Sequence, residues 1–245
     1  MITGVDSMRN EIEKLANIIK DSKCLVVMTG AGMDTESNIP DFRSQNGLWY
    51  KVDPAKVATV EAMYQNYPLF HEFYSARIKN MENVVPHKGH YVLAELEKKG
   101  YLKSIATQNI SGLHTRAGSK NVYELHGNLR RIKCNECGTR HTIEDFLDKK
   151  NCNKCGKNFL RPEIVLFGEM LPTNIWDRAI RDVKNSDVFI IIGTSLQVSP
   201  VNQMPYIAKG KTIYINMEKA RGYNFDLEII GKAGEILGEL GEILL

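Results

Sequence analysis

The chain has little excess charge of either sign and no long apolar run. Its 32 lysines and arginines stand against 29 aspartates and glutamates, a net charge of +3 over 245 residues without a basic tract. Nucleic acid is therefore not an expected partner. No stretch reaches the length that spans a bilayer, and Met1 to Ser7 lacks a basic region leading into an apolar one. Neither a membrane nor an export signal is expected, and the reading is cytoplasmic. Internal repeats, low-complexity tracts and linkers long enough to separate independent domains are also missing. What remains, 43% hydrophobic and 25% charged residues, is the composition of an ordinary globular chain, long enough for one large core or a core plus a smaller module.

Cysteine is scarce too, with five in all, yet four stand in two matched pairs, Cys134-x-x-Cys137 and Cys152-x-x-Cys155, separated by 14 residues. Two short knuckles at that spacing can converge four thiolates on one tetrahedral ion, the requirement of a closed structural zinc site. The competing readings are four unrelated thiols or a disulfide pair, the latter disfavoured without an export signal. The fifth, Cys24, opens the apolar run Cys24-Leu-Val-Val-Met28 and is expected to be a small buried hydrophobe, since nothing basic flanks it to stabilise a thiolate.

Apolar positions Ile12, Leu15, Ile18 and Ile19 recur at helical spacing and predict an opening helix over 8–21. Leu25 to Met28 form a short apolar run ending in Thr29-Gly30-Ala31-Gly32, the pattern of a buried strand entering a glycine turn. Similar runs at Ile105–Ala106, Val188–Ile192 and Thr212–Ile215, with helical segments 90–99 and 174–184 between them, predict a parallel sheet flanked by helices. Two stretches break the alternation, one rich in aromatics and helix formers, the other holding the cysteine pairs.

A glycine turn between strand and helix lets backbone N–H groups approach phosphate oxygens, although such turns also use glycine for geometry alone. Two further strand ends, Gly193-Thr194-Ser195 and Asn216, carry glycine, hydroxyl and amide groups. Ligands of open parallel sheets gather outside the carboxyl ends of strands, so the three ends together fit a dinucleotide. No Lys-Ser/Thr pair follows the first glycine turn at the P-loop spacing, which disfavours a nucleoside triphosphatase.

Gly30-Ala31-Gly32-Met-Asp-Thr35-Glu-Ser-Asn-Ile-Pro40-Asp41-Phe42-Arg43, Thr107-Gln108-Asn109-Ile110, Leu125-His126-Gly127, the four cysteines, Phe167-Gly168-Glu169 and Gly193-Thr194-Ser195-Leu196 together resemble the sirtuins, the NAD-dependent protein lysine deacylases. They stand in that family's order and cover the chain from about residue 20 to 235. The resemblance implies an α/β fold: a Rossmann-like parallel sheet domain (1–40, 91–126 and 164–245), a cofactor loop with a helical insertion (41–90), and an inserted zinc-ribbon module (127–163). It further implies NAD as cofactor, one structural zinc ion on Cys134, Cys137, Cys152 and Cys155, and acylated-lysine proteins or peptides as partners.

Residue by residue, the resemblance places Gly30, Ala31, Gly32 and Thr35 at the pyrophosphate and its ribose. Phe42 and Arg43 lie on a mobile loop over the cofactor, and Gln108, Asn109 and Ile110 line its ribose and nicotinamide end. Gly193, Thr194, Ser195 and Asn216 hold the adenosine half, with the backbone of Ala233 near the adenine. His126 is the implied general base, with Asn109 beside it in the catalytic group, and a histidine of ordinary pKa can take a proton from a ribose hydroxyl near neutral pH. For an isolated His-Gly the competing reading is a core or capping histidine. His87, His90, His114 and His141 have no comparable setting, and His114 is expected to pack structurally. Val165, Phe167, Gly168 and Glu169 resemble the segment along which an extended peptide adds as a strand.

Two positions depart from the family pattern. Ser111 stands where an aspartate is usual, and a serine there could weaken cofactor binding or nicotinamide expulsion. Tyr74 and Arg77 lie one helical turn apart, resembling the Tyr-x-x-Arg pair of sirtuins that remove succinyl or malonyl groups. Pro40-Asp41-Phe42-Arg43 looks instead like the deacetylase branch, and the plain reading of the pair is an inward aromatic beside a solvated arginine. The rival functions are a mono-ADP-ribosyltransferase and a catalytically weak NAD-binding sensor.

Overall fold

The structure, a computed structural model, describes residues 4–44 and 47–245. Helix α1 (Gly4–Asp21) leads into strand β1 (Leu25–Thr29), followed by the short helices α2 (Leu48–Lys51), α3 (Pro54–Val57) and α4 (Val60–Gln65) and the longer α5 (Tyr67–Asn80). Then come α6 (Lys88–Lys98), β2 (Leu102–Thr107), α7 (Leu113–Ala117) and β3 (Val122–Glu124). The cysteine-bearing segment folds as β4 (Gly127–Cys134), β5 (Arg140–His141), α8 (Ile143–Leu147) and β6 (Leu160–Ile164). After it follow α9 (Thr173–Asn185), β7 (Val188–Ile192), α10 (Met204–Ile207), β8 (Lys211–Asn216), β9 (Leu227–Ile230) and α11 (Ala233–Leu244).

Six strands form one wholly parallel sheet in the order β3-β2-β1-β7-β8-β9. Central strands β1 and β7 are buried along their whole length, which is why they read as unbroken apolar runs. Alternate residues serve opposite faces. Val27, Ile105, Ile190 and Ile213 pack against Ile12 and Leu15 of α1, Leu93 and Leu96 of α6, and Ile236 and Leu240 of α11. Val26, Met28, Phe189, Ile191 and Tyr214 pack on the other side against Ala179 and Val183 of α9. Cys24 departs from expectation: it is half-exposed at the foot of β1, where burial and then the Asp187 carboxylate raise its pKa and leave it a poor nucleophile.

The strand ends are level. Thr29 pairs with both Thr107 and Ile192, Thr107 with Glu124, and Ile192 with Ile215. Gly30, Gln108, Leu125, Gly193 and Asn216 therefore leave the sheet along one line. From β1 and β7 the chain winds outward in opposite directions, so the crevice between their carboxyl ends is the topological switch point where such sheets take ligands.

The two interruptions read from the sequence as separate insertions share one core. Met63 of α4 and Phe70, Tyr74 and Ile78 of α5 pack with Leu129, Ile132, Phe146 and Leu160 of the cysteine-bearing segment. Tyr67 OH donates to the Leu160 carbonyl at 2.6 Å, and His71 Nε2 meets the Phe146 carbonyl at 2.6 Å, so polar tips also cross the seam. Local signals shape the first segment, with Asp53, Thr59 and Asn66 side chains capping α3, α4 and α5 in turn. Boundaries shift slightly from those expected, since α6 begins at Lys88 and the antiparallel sheet β5-β4-β6 closes with Gly127 opposite Ile164. Among the described residues no helix is long and apolar enough to cross a membrane.

Candidate functional site

A cavity of about 1190 Å³ lies between the carboxyl edge of the sheet and the smaller lobe. Its wall includes Ala31, Gly32, Thr35, Phe42, Arg43, Gln108, Asn109, Ile110, His126, Gly193, Thr194, Ser195, Asn216 and Ala233, and on the lobe side Tyr74, Arg77, Val165, Phe167, Gly168 and Glu169. Gly30 and Ser111 do not line it. Ser111 is buried just behind the wall residue Ile110, with its hydroxyl 3.4 Å from the Leu113 N–H at the start of α7. Gly30 acts at one remove, through a carbonyl that accepts Asn109 Nδ2 at 2.9 Å.

The glycine turn serves geometry first. Gly32 N–H donates to the Gly193 carbonyl at 2.7 Å, and a Cβ on Gly193, whose φ is +62°, would lie 2.3 Å from Met33 N. Only glycine lets the ends of β1 and β7 meet this closely. Gly30 N–H is taken by Ile192, which leaves the Ala31 N–H without a backbone acceptor among the described residues. Beside it stand the exposed Ser195 and an Asn216 whose Nδ2 bonds the Tyr214 hydroxyl at 2.6 Å, leaving Oδ1 as an acceptor. Neutral donors and acceptors spread along a line of strand ends, with Arg43 at one side, suit the hydroxyls and diphosphate of NAD.

His126 follows the end of β3. Its Nδ1 lies 3.1 Å from the Gln108 carbonyl, a pure acceptor, so Nδ1 carries the proton and Nε2 keeps a lone pair. No protein group bonds that Nε2 among the described residues, and the ring lines the cavity. Burial lowers its pKa below the ordinary histidine value, with the Gln108 carbonyl opposing. A neutral imidazole with a free lone pair is what a general base requires at pH 7.

Behind Asn109 runs a buried polar chain that sequence reasoning missed. His114 Nε2 lies 2.9 Å from Thr29 Oγ1, which donates to Thr107 Oγ1 at 2.8 Å, and Thr107 Oγ1 accepts the Asn109 N–H at 3.0 Å. The His90 ring lies tilted against His114, centroids 4.8 Å apart, and edge-on to His87 at 4.3 Å, and His90 Nε2 meets the buried Asp34 carboxylate at 3.2 Å. The available signal was two threonines ending neighbouring apolar strands, where a buried hydroxyl demands a partner.

The four cysteine sulfurs lie within 4.8 Å of one another, with Cys134–Cys155 and Cys137–Cys152 each at 3.6 Å. Thiolates about 2.3 Å from a tetrahedral zinc stand roughly 3.8 Å apart. The set fits that ion, and the separations are far too long for disulfides. His141, unremarkable in sequence, stands 3.4 Å from Cys152 Sγ. The Cys155 N–H, aided by His141, lowers the Cys152 pKa, while, against the Lys157 backbone, the neighbouring sulfurs raise that of Cys155, as thiols crowded at one site without a cation must.

On the lobe side, Arg77 is half-buried with its guanidinium 5.2 Å from the Phe42 ring and 5.8 Å from the Phe73 ring. No carboxylate pairs with it among the described residues. Tyr74 is buried beside it, its hydroxyl kept neutral by a pKa that burial pushes up to about 12. The expected peptide edge is partly occupied: Val165 N–H donates to the His126 carbonyl at 2.9 Å, and Phe167 pairs with Ala58 and Val60 at 2.9 and 3.1 Å. Beyond Phe167 the chain turns through Gly168 and Glu169, whose N–H bonds the Leu166 carbonyl at 3.0 Å, and leaves Phe167 exposed and Met170 85% exposed. Trp49, Ala58 and Trp176 also line the cavity, unsuspected from sequence.

The Sir2 family model matches residues 30–200. The NAD-dependent protein deacylase 2 of Archaeoglobus fulgidus is 42% identical over 245 aligned residues, covering 96% of each chain. Among solved structures, a Sir2 homologue–NAD complex superposes with a TM-score of 0.88 at 41% identity, covering 95% of this chain and 93% of that one. A Sir2 variant with a deacetylated p53 peptide and 3'-O-acetyl ADP-ribose gives a TM-score of 0.89 at 33% identity, covering 94% and 97%.

Proposed function

The chain belongs to the Sir2 family, and on that premise we propose an NAD-dependent protein lysine deacylase in which His126 is the general base. The observation that carries the residue assignment is the anchoring of the imidazole, with Nδ1–H on the Gln108 carbonyl and Nε2 open to a cavity flanked by both the glycine turn and Val165–Glu169. NAD, when bound, supplies the ribose that accepts the acyl group, giving free lysine, nicotinamide and O-acyl-ADP-ribose as products. Ala31, Gly32, Thr35, Gly193, Thr194, Ser195, Asn216 and Ala233 hold the cofactor, Phe42 and Arg43 cover it, and Gln108, Asn109 and Ile110 line its reactive end. Asn109 is fixed by the Gly30 carbonyl and by Thr107, so its amide is presented in one orientation. His126, uncharged near neutral pH, accepts a hydroxyl proton at Nε2. The cysteine clasp uses every position of a tetrahedral zinc and so folds the lobe without joining the chemistry.

Acyl preference follows from Arg77. A half-buried guanidinium among aromatic rings without a carboxylate partner is a costly arrangement that an anionic ligand relieves. Tyr74 and Arg77 therefore seat the distal carboxylate of a short dicarboxylic acyl group, malonyl or succinyl. Peptides carrying acetyl-, succinyl- and longer acyl-lysine, incubated with NAD and read by mass, test both statements. Free-lysine peptide and O-acyl-ADP-ribose are expected from the wild type and not from His126→Ala, while ADP-ribose attached to protein would support a transferase instead. Arg77→Met should cut turnover of the succinyl peptide by one to two orders of magnitude, roughly the worth of one hydrogen bond to a charged group.

A further inference from the structure

Arg161 in β6 is among the largest fully buried side chains in the molecule and lies outside the cavity wall. Its guanidinium forks onto Glu169 at 2.6 and 2.9 Å, and Nη2 also donates to the Ile164 carbonyl at 2.7 Å. Glu169 Oε2 in turn accepts the Leu166 N–H at 2.8 Å, and the Glu169 N–H returns to the Leu166 carbonyl at 3.0 Å. One ion pair thus closes the turn from Ile164 to Glu169, inside which Val165 is bonded to the backbone of His126. On the far side Arg161 Nη1 lies 3.5 Å from Oδ1 of Asn135, the residue that follows the clasp cysteine Cys134. Burial raises the Glu169 pKa, but the Arg161 fork and the Leu166 N–H outweigh it and hold the carboxyl below its usual range. The pair is charged.

Arg161 is buried while Glu169 is 29% exposed, and such a pair is a poor stabiliser, because taking the guanidinium out of water offsets most of the attraction and packed apolar side chains often do as well. What the fork adds is direction. Parallel N–H···O bonds fix both the distance and the plane of the turn, which neither a lysine nor a leucine could. We infer that Arg161 and Glu169 are positioning residues that hold the turn from Val165 to Met170, an edge of the cavity, in register with His126, setting affinity for acyl-lysine peptide and not for cofactor. The inference rests on the proposed reading of that edge as the peptide's seat.

Two variants test it, Arg161→Lys, which keeps the charge and loses the fork, and the apolar double variant Arg161→Met with Glu169→Met. Fluorescence polarisation with labelled succinyl- and acetyl-lysine peptides gives peptide affinity, ADP-ribose titration gives cofactor-site affinity, and metal analysis gives zinc content. Peptide Kd and KM should rise at least about tenfold in both variants, with ADP-ribose Kd within roughly twofold of wild type and zinc retained. Unchanged peptide affinity in the double variant would overturn the role, as would equal loss of peptide and ADP-ribose binding, which would mark a mere structural prop. A wild type that turns over no acyl peptide would sink the deacylase reading, whereas an active wild type with unaffected variants sinks only the positioning role.

Discussion

The sheet half and the smaller lobe border the same cavity but are held together by different means. In the sheet half each strand is its own apolar run, and neighbouring runs need only align for both faces to find helices. In the lobe the core is drawn from two segments separated by α6, β2, α7 and β3, and it includes two of the clasp cysteines. A sheet built of long buried strands carries its own cohesion, whereas a small core assembled from distant pieces depends on a staple. The contrast fits the division of labour proposed above, with strand ends for the cofactor and a lobe carrying the cysteine clasp for the acyl group.

Zinc removal should produce the largest effect and bear on that contrast most directly. With chelator, or in Cys134→Ser, hydrogen exchange is expected to lose protection at Leu129, Ile132 and Phe146 while Val27 and Ile190 stay protected, and deacylation should fall more than about a hundredfold. Uniform loss of protection across both halves would break the contrast. A smaller effect concerns the base at the seam. Because burial lowers the His126 pKa, its neutral form persists as pH falls through about 6.5, the unperturbed value, so the acid limb of kcat/KM should have its midpoint below that value. A midpoint above it in a pH–rate profile would contradict the environment described. Smallest is Ser111→Ala, on the sheet side but off the cavity wall. It removes one long hydrogen bond, so stability should change by less than about 1 kcal/mol and KM for NAD by less than about twofold. A tenfold rise in KM would return Ser111 to the cofactor site.

The same contrast governs what could be read in advance. Strands β1 and β7 were visible because burial on both faces leaves no polar interruption, and α1 because Ile12, Leu15 and Ile19 repeat at helical spacing. The cysteine spacing announced a metal clasp, since tetrahedral coordination constrains sequence distance. The common core of Phe70 with Leu129 and Phe146 could not be foreseen, as nothing local to either segment encodes its partner. The partners of His90 and His114 could not be foreseen for a related reason, since Asp34 and Thr29 are distant in sequence, although the structural packing expected of His114 matches its burial. Ser111 could not be placed in advance either, since the local turn at α7 gives its hydroxyl a backbone partner that only the folded chain reveals.

The level strand ends amount to a ruler. From Gln108 just beyond β2 to Asn216 at the end of β8 there are three strand spacings, roughly 14 Å at the pitch fixed by backbone hydrogen bonds. Graduations set by a hydrogen-bond ladder do not stretch, so a bound molecule is gauged across the strands by its length as well as by its functional groups. A ligand shortened by one phosphate would match one end or the other, but not both at once.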